Sequence, residues 1–303
     1  MSGPIVLTYD GSDGAAQAIA SAGRLLAPRR ALVVHAYYGL SHMMLRSNMK
    51  VHDLDGPLAD AVEEFDSADA DEAERIAAEG TQLAIAAGLQ AQPIVVRQEG
   101  KTWQALIAAA VNHDAAVVVA GARGRSALTA ALLGSVSRGL AVHSPVALLV
   151  VPAESAADDG AGPALLSYEP SSHATNAINV ASELLVGKSA LVLNVWQSWV
   201  MKVPPYLPGV AREFDAISEQ LSAESVEEGA GLAAEAGFEP KALSVRAVHS
   251  VWRGVLDAAD EQDVSAIVVG SRSVGGPLAL LGGTADGVIH HAQRPVLVVP
   301  PSE

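Results

Sequence analysis

The sequence predicts an α/β fold: two tandem doubly wound domains, each a mostly parallel sheet with helices on both faces. Two observations lead to this prediction. Short apolar runs of strand length alternate with helical patterns, and such a βαβ alternation produces a parallel sheet. The second half of the chain also repeats the first. In addition, 50% of the residues are hydrophobic but only 4% are aromatic, which suits buried parallel strands beneath Ala-rich helices.

The repeat is colinear over most of both halves. The segment GPIVLTYDGSDGAAQAI (3–19) matches GPALLSYEPSSHATNAI (162–178) without a gap. Three later pairs share an offset of 149 residues: Trp103 with Trp252, Gly121 with Gly270, and Gly134 with Gly283. The segment AESAADDGAG (153–162) has the small, polar composition of a linker. We therefore expect one domain over residues 1–153 and a second over 161–303.

Each predicted strand is a mainly apolar run of strand length. In the first copy these runs lie at 5–9, 31–37, 93–98, 115–121 and 146–151. Helical periodicity fills the intervals at about 14–27, 69–88 and 102–113, with a short helix after Gly134. The loop 38–60 is expected to be a flap beside a ligand or a packing surface. The second copy repeats the pattern, with strands near 164–168, 191–196, 243–248, 265–269 and 296–299.

Composition and charge argue against several classes of function. The chain has no cysteine, which excludes disulfides, thiolate catalysis and Cys-ligated metal. A net charge of −15 argues against nucleic acid as a partner, because phosphate contacts supply most of that affinity. No apolar run approaches the roughly 18 residues of a membrane span, and MSGPIVLTYD enters a strand directly without a signal segment. We expect a cytoplasmic protein without a membrane partner.

The loop GARGRSALTAALLGS (121–135) has the composition of a phosphate cradle. Gly121 and Gly124 allow positive φ angles and remove the Cβ atoms that would block a ligand's approach. Gly134 and Ser135 are expected to begin a helix whose first N–H groups bind phosphate, with Ser135 as N-cap or phosphate donor. Two arginines add positive charge at the rim: Arg123 and Arg125. The alternative is that these glycines only end a strand and cap a helix.

Three motifs together resemble the universal stress protein family. They are Gly-x2-Gly-x9-Gly-(Ser/Thr) after the fourth strand, Asp-Gly-Ser after the first strand, and His-x-Pro before the last strand. The resemblance covers nearly the whole chain as a tandem pair. It implies five-stranded domains of strand order 3-2-1-4-5 that pair through their final strands. It also implies binding of ATP, with Mg²⁺, where the glycine pattern is intact.

Transferred to the first copy, the resemblance implies that Asp10 meets the adenosine near its ribose and that Ala36 lies near the adenine. The remaining residues of this implied site surround the phosphates or adjoin Asp10: Gly11, Ser12, Gly121, Arg123, Gly124, Arg125, Gly134, Ser135 and Val136. The first copy fits the family pattern at these positions.

The second copy departs from the family pattern at three positions. Glu169 replaces the aspartate, Pro170 replaces the following glycine, and Ser273 replaces the second loop glycine. Proline also removes one backbone N–H. A weaker second site would comprise the matching positions: Val195, Gly270, Ser273, Gly283 and Thr284. A purely structural role is expected for this half.

The predicted function is a nucleotide-dependent sensor of stress that an unidentified protein partner reads. An interaction protein that binds no nucleotide is one alternative, and a weak ATPase or phosphotransferase is another, although no catalytic residue is recognisable. Both a homodimer and an intramolecular pseudo-dimer fit the sequence. His143 and His291 are expected to cap helix C-termini. The His- and Met-rich set fits no metal site: His35, His42, Met43, Met44, Met49 and His52.

Overall fold

The computed structural model describes residues 3–26, 28–39, 57–124, 133–153, 161–187, 189–200, 202–204, 206–271 and 281–302, with backbone alone at 57–59. The elements of the first copy are β1 (Ile5–Thr8), α1 (Asp13–Leu25), β2 (Arg30–Tyr37), α2 (Pro57–Ala86), β3 (Gln90–Arg97), α3 (Thr102–Asn112), β4 (Val117–Gly121), α4 (Ser135–His143) and β5 (Ala147–Val151). This alternation of strand and helix is the one that the apolar runs predict.

The second copy repeats the same succession. Its elements are β6 (Ala164–Ser167), α5 (Ser172–Leu184), β7 (Ser189–Gln197), α6 (Pro208–Glu235), β8 (Glu239–Ala247), α7 (Val251–Glu261), β9 (Ala266–Gly270), α8 (Gly283–His291) and β10 (Val296–Val299). Within the described part of the chain, every strand of the first copy therefore has a counterpart in the second.

All ten of these strands form one sheet in the order β3-β2-β1-β4-β5-β10-β9-β6-β7-β8. Pairing is parallel within each copy, and each copy has the predicted order 3-2-1-4-5. The copies join through their last strands, where β5 and β10 pair antiparallel with Leu149 opposite Leu297. The α/β class, the strand order and the pairing through the final strands are thus confirmed.

Several element boundaries differ from the prediction, and the largest differences are at the starts of α2 and of the edge strands β3 and β8. Helix α2 begins at Pro57 instead of residue 69, because Val62 continues the buried face of Ala73 and Ile76 through an otherwise acidic stretch. Strand β3 begins at Gln90 instead of residue 93. It lies at the edge of the sheet, where exposed polar residues pair without forming an apolar run.

Each face of the sheet carries its own core layer, and both layers contain residues of both copies. Leu149 and Leu297 are fully buried in one layer, while Leu148 and Val298 lie in the other. The two domains therefore share continuous hydrophobic layers across the seam. Among the described residues, no helix has both the length and the apolar character to cross a bilayer.

Candidate ligand-binding site

A cavity of about 330 Å³ opens at the carboxyl ends of the strands of the first copy. Its wall includes residues from or next to β3, β2, β1 and β4, which are consecutive neighbours in the sheet. Neighbouring strands lie about 4.8 Å apart, so the cavity extends roughly 14 Å across the sheet. It includes the switch point between β1 and β4, where ligands bind in doubly wound sheets.

Asp10 lines the middle of this cavity and is oriented by the turn that follows it. Its Oδ1 accepts hydrogen bonds from Ser12 Oγ at 2.6 Å and from Ser12 N at 3.1 Å. Ser12 in turn caps α1, and Gly11 has a φ of 80° that favours glycine. Gly11 and Ser12 lie outside the cavity wall, so their contribution is to hold the Asp10 carboxylate.

Gly121 and Gly124 both line the cavity, and neither adopts the positive φ angle that glycine allows. What they permit is close approach. A Cβ at Gly124 would lie 2.6 Å from Asp10 Oδ2, and a Cβ at Gly121 would lie 2.8 Å from Gly14 O. The glycines thus allow the loop after β4 to pack against the turn after β1. Arg123 also lines the cavity, and Arg125 lies outside the described residues.

The first turn of α4 closes the β4 end of the cavity. Gly134 is the N-cap and Ser135 the first helical residue. Of the two roles expected for Ser135, the N-cap is therefore wrong, and the phosphate donor stays a prediction. Ser135 and Val136 line the cavity in a turn whose backbone N–H groups have no intrahelical acceptor. Ser137 anchors this turn, because its Oγ donates to Gly121 O at 2.6 Å. The positive end of the α4 dipole therefore faces the cavity.

The opposite end of the cavity is mainly apolar, with one buried amide. Ala36 and Leu106 form part of its wall. Gln98, directly after β3, is only 3% exposed, and its Oε1 is buried without a hydrogen-bond partner. A buried acceptor that lacks a donor is costly, so a ligand that donates there would be favoured. We did not predict Gln98 from the sequence. The signal that identified Asp10, a polar residue where a strand ends, was also present at Gln98.

A smaller cavity of about 220 Å³ lies at the equivalent place in the second copy. Glu169, Val195, Gly270 and Thr284 line it, whereas Gly283 does not. The predicted Ser273 lies outside the described residues.

Two substitutions that the sequence analysis missed alter this second cavity. His173 stands where the first copy has Gly14, and its side chain lines the cavity with Nδ1 buried and unpartnered. At Gly14 even a Cβ would lie 3.0 Å from Arg123 O, so a side chain here projects towards the loop after the fourth strand. Ala247 takes the position of Gln98, at the end of the third strand of each copy.

The connection from β9 to α8 is one residue shorter than its counterpart from β4 to α4. Gly282 caps α8 and its N donates to Ser271 O at 2.9 Å, as Gly134 N donates to Ala122 O at 2.8 Å. The predicted match of Gly134 with Gly283 is therefore wrong by one residue. Glycine now stands at the Ser135 position, which removes the hydroxyl group, and Thr284 stands at the Val136 position.

His143 and His291, which were expected to cap helix C-termini, each stack on a tryptophan. His143 stacks on Trp103 with ring centroids 4.4 Å apart, and His291 stacks on Trp252 at 4.7 Å. These repeated pairs also support the one-residue shift. His35 is buried with Nδ1 2.8 Å from Tyr9 O, and the other members of the His- and Met-rich set lie outside the described residues. In the described ranges, no group of three or more His, Cys, Asp or Glu is arranged to hold a metal.

The fold and cavities define a tandem α/β protein with a cavity at the switch point of the sheet in its first half. A sequence profile of the Universal stress protein family matches residues 1–152 and 163–300, and the chain belongs to that family as two tandem domains.

Universal stress proteins of Mycobacterium tuberculosis and Mycobacterium bovis are each 28% identical to this chain over 193 residues. This match covers 62% of the chain and 63%, less than two thirds, of those relatives. A universal stress protein structure from Archaeoglobus fulgidus has a TM-score of 0.63 and 20% identity, covering 100% of this chain and 98% of its own. A structure from Pseudomonas aeruginosa has a TM-score of 0.52 and 16% identity, covering 98% of this chain and 93% of its own. At these identities the structures show the fold alone.

Proposed function

We propose that the first domain binds an adenine nucleotide, ATP with Mg²⁺, and that its occupancy is read as a signal in a cytoplasmic stress response. The observation that carries this proposal is the order of features along the first cavity. An apolar end with the buried Gln98 amide comes first, then the oriented carboxylate of Asp10, and then the first turn of α4. A nucleotide presents a base, a sugar with hydroxyl donors and an anionic phosphate chain in the same order.

The phosphate end alone is too weak to explain affinity. A helix dipole contributes about 0.3–2 kcal/mol towards binding an anion, whereas micromolar affinity requires about 8 kcal/mol. Most of the binding free energy must therefore come from the base and the sugar. The roughly 14 Å span supports a ligand that reaches from β3 to α4.

Adenine suits the β3 end because it combines an apolar face with an exocyclic amino group. Gln98 Oε1 is an acceptor without a donor, and the amino group of adenine would supply that donor. Guanine carries a carbonyl oxygen at the same position and would leave Oε1 unpaired. Asp10 would accept from a ribose hydroxyl, which its Ser12-anchored geometry favours.

In the second copy we propose a structural role. Its cavity is smaller, His173 projects into it, and it lacks counterparts of Gln98 and of the Ser135 hydroxyl. We expect one nucleotide per chain, bound in the first domain. The boundary between the two domains is placed at residues 153–161 on the basis of linker composition.

Isothermal titration calorimetry on nucleotide-free protein tests the proposal. MgATP should bind with a stoichiometry near one and more tightly than MgGTP. If millimolar MgATP gives neither heat of binding nor a shift in melting temperature, the chain is an interaction protein of this fold and the sensor proposal fails. A stoichiometry of two would overturn the structural role of the second copy. Cell fractionation tests the cytoplasmic location.

A further inference from the structure

The outer helix of the second copy, α6, carries an apolar stripe on its exposed side. We define the α6 stripe by five side chains that are 37–57% exposed: Leu207, Val210, Phe214, Ile217 and Leu221. The helix packs against β7 and β8 through a different set of residues, which are buried: Ala211, Ser222, Val226, Gly229 and Ala233. Phe214 also contacts Trp199, two residues after β7, with ring centroids 4.9 Å apart. The other four side chains of the stripe are additional to the residues that hold α6 on its own sheet.

The spacing of the α6 stripe alternates between three and four residues over two heptads. This is the a and d pattern by which two helices pack side by side. Single exposed apolar residues are ordinary on a protein surface, but a contiguous stripe marks an interaction site. The heptad spacing favours another helix as the occupant.

We propose that the α6 stripe pairs antiparallel with the α6 stripe of a second copy of this chain, about a two-fold axis. The stripe is self-complementary in this arrangement: Phe214 lies opposite Ile217 of the partner subunit, and Val210 lies opposite Leu221 of the partner subunit. A two-fold contact of this kind uses the same patch on both chains and closes after two copies.

Charges along the helix favour the antiparallel direction. Glu213 and Gln220 flank the stripe on one side. In the antiparallel pair, Glu213 lies next to Gln220 of the partner subunit, so the two glutamates do not meet. Glu224, the next d position after Leu221, would face Leu207 of the partner subunit. In a parallel pair Glu224 would instead meet the same glutamate of the other chain, which is repulsive.

The matching helix of the first copy has no such stripe. At the equivalent positions α2 has Ala61, Phe65, Ala68 and Glu72, of which Phe65 is 60% exposed. Glu72 is paired with Arg75. Among the residues whose side chains the structure describes, the pattern is thus a property of the second copy, and we expect each chain to offer one self-pairing surface.

The size of the stripe predicts a weak dimer. Five side chains at these exposures present on the order of 500 Å² of apolar surface, as large as the largest patch of an ordinary monomer. Two chains together would bury roughly 1,000 Å², the lower limit for specific association. Each chain also carries a net charge of −15, so added salt should tighten the dimer by screening repulsion.

Sedimentation equilibrium of the full chain over a range of concentrations tests this proposal. We expect a monomer–dimer equilibrium between 31.0 kDa and twice that mass, with a dissociation constant that falls as salt is raised. Ile217→Glu should raise the dissociation constant at least 100-fold, because it buries an unpaired charge. Ala68→Glu, at the matching position of α2, should leave it unchanged.

If Ile217→Glu alters the circular dichroism spectrum, Leu221→Gln replaces it. A wild-type chain that stays monomeric at all concentrations, or a dimer that persists in the folded variant, overturns the proposal.

Spin labels separate the antiparallel pair from any other dimer. The chain has no cysteine, so single labels can be placed at Arg212→Cys and at Glu235→Cys. With a rise of 1.5 Å per residue, the antiparallel pair places the 212 labels about 20–30 Å apart and the 235 labels more than about 50 Å apart. Short distances at both positions would indicate a parallel pair and would refute this arrangement. None of these readouts requires nucleotide, so the outcome is independent of the proposed ATP site.

Discussion

Replacing Gly124 by alanine tests the first cavity directly, because the added methyl group would meet the Asp10 carboxylate. The Cβ would lie 2.6 Å from Asp10 Oδ2, well inside the 3.4–4 Å of ordinary van der Waals contact. The carboxylate has to turn away, which disrupts the hydrogen bonds that it accepts from Ser12. The ligand then loses an acceptor that was oriented before binding.

The expected loss follows from the hydrogen bonds involved. A hydrogen bond to a charged group contributes about 1.5–3 kcal/mol, and about 1.4 kcal/mol corresponds to a tenfold change in affinity. Gly124→Ala should therefore raise the Kd for MgATP about 10- to 100-fold in calorimetry. The thermal shift should shrink in parallel, since a ligand at 100 times its Kd stabilises the folded protein by about 2.7 kcal/mol.

Gly283→Ala is the control, because no atom lies within 4 Å of the Cβ that it adds. It should leave the Kd for MgATP unchanged. Ser273 lies outside the described residues. Ser273→Ala should also raise the Kd for MgATP much less than Gly124→Ala does. Equal losses in the two copies, or an unchanged Kd for Gly124→Ala, would refute the assignment of the working site to the first domain.

Four further predictions use other parts of the molecule. Gly14→His, which introduces the residue found at the equivalent position of the second domain, should abolish the heat of MgATP binding. Even a Cβ at this position would lie 3.0 Å from Arg123 O. Retained binding would show that the phosphates do not lie beside Gly14. Gln98→Leu should reduce the preference for ATP over GTP about 2- to 10-fold in titrations with both nucleotides, since a neutral hydrogen bond contributes about 0.5–1.5 kcal/mol. An unchanged ratio would remove Gln98 from base recognition. Leu149→Ala should lower the free energy of unfolding by about 2–5 kcal/mol in urea, because this side chain is fully buried at the β5–β10 seam; a loss below about 1 kcal/mol would mean that the seam repacks. The free energy of unfolding should fall as pH rises from about 10 towards 12, because burial and a hydrogen bond to a glutamate raise the pKa of both Tyr9 and Tyr168 to about 12. The unfolded chain therefore releases these protons at a lower pH than the folded protein. Tyr9→Phe should make the fall shallower in urea melts, and an unchanged dependence on pH would contradict this cause.

Much of the fold could be predicted because its signals are local. Strands such as β1 and β4 are mainly aliphatic runs, and the repeat of 3–19 at 162–178 reveals two copies of one unit. The acidic start of α2 was missed because a helix with few apolar residues depends on a buried face that only packing reveals. Polar β3 was shortened for a related reason, since an edge strand is held by its neighbour's hydrogen bonds.

Part of the candidate site could likewise be predicted from local signals, and part could not. Asp10 and the glycines of 121–135 were visible because they follow strands, and the resemblance to universal stress proteins gave them roles. Gln98 was missed because its significance lies in a buried oxygen without a partner, which is a property of the folded cavity. The one-residue shift at Gly282 was hidden because Gly282 and Gly283 are adjacent and identical in type.

The sequence by itself determined the α/β class, the duplication, the succession of strands and helices, and the position of the glycine-rich loop after β4, because apolar periodicity and glycine placement act over a few residues. Only the tertiary structure decided why Gly124 must be glycine, which residue of the second copy opposes the loop, and which face of α6 stays exposed. These depend on contacts between residues far apart in the chain, such as Gly124 with Asp10. A non-local contact leaves no trace in local spacing, and that is the physical limit on what the sequence alone could predict.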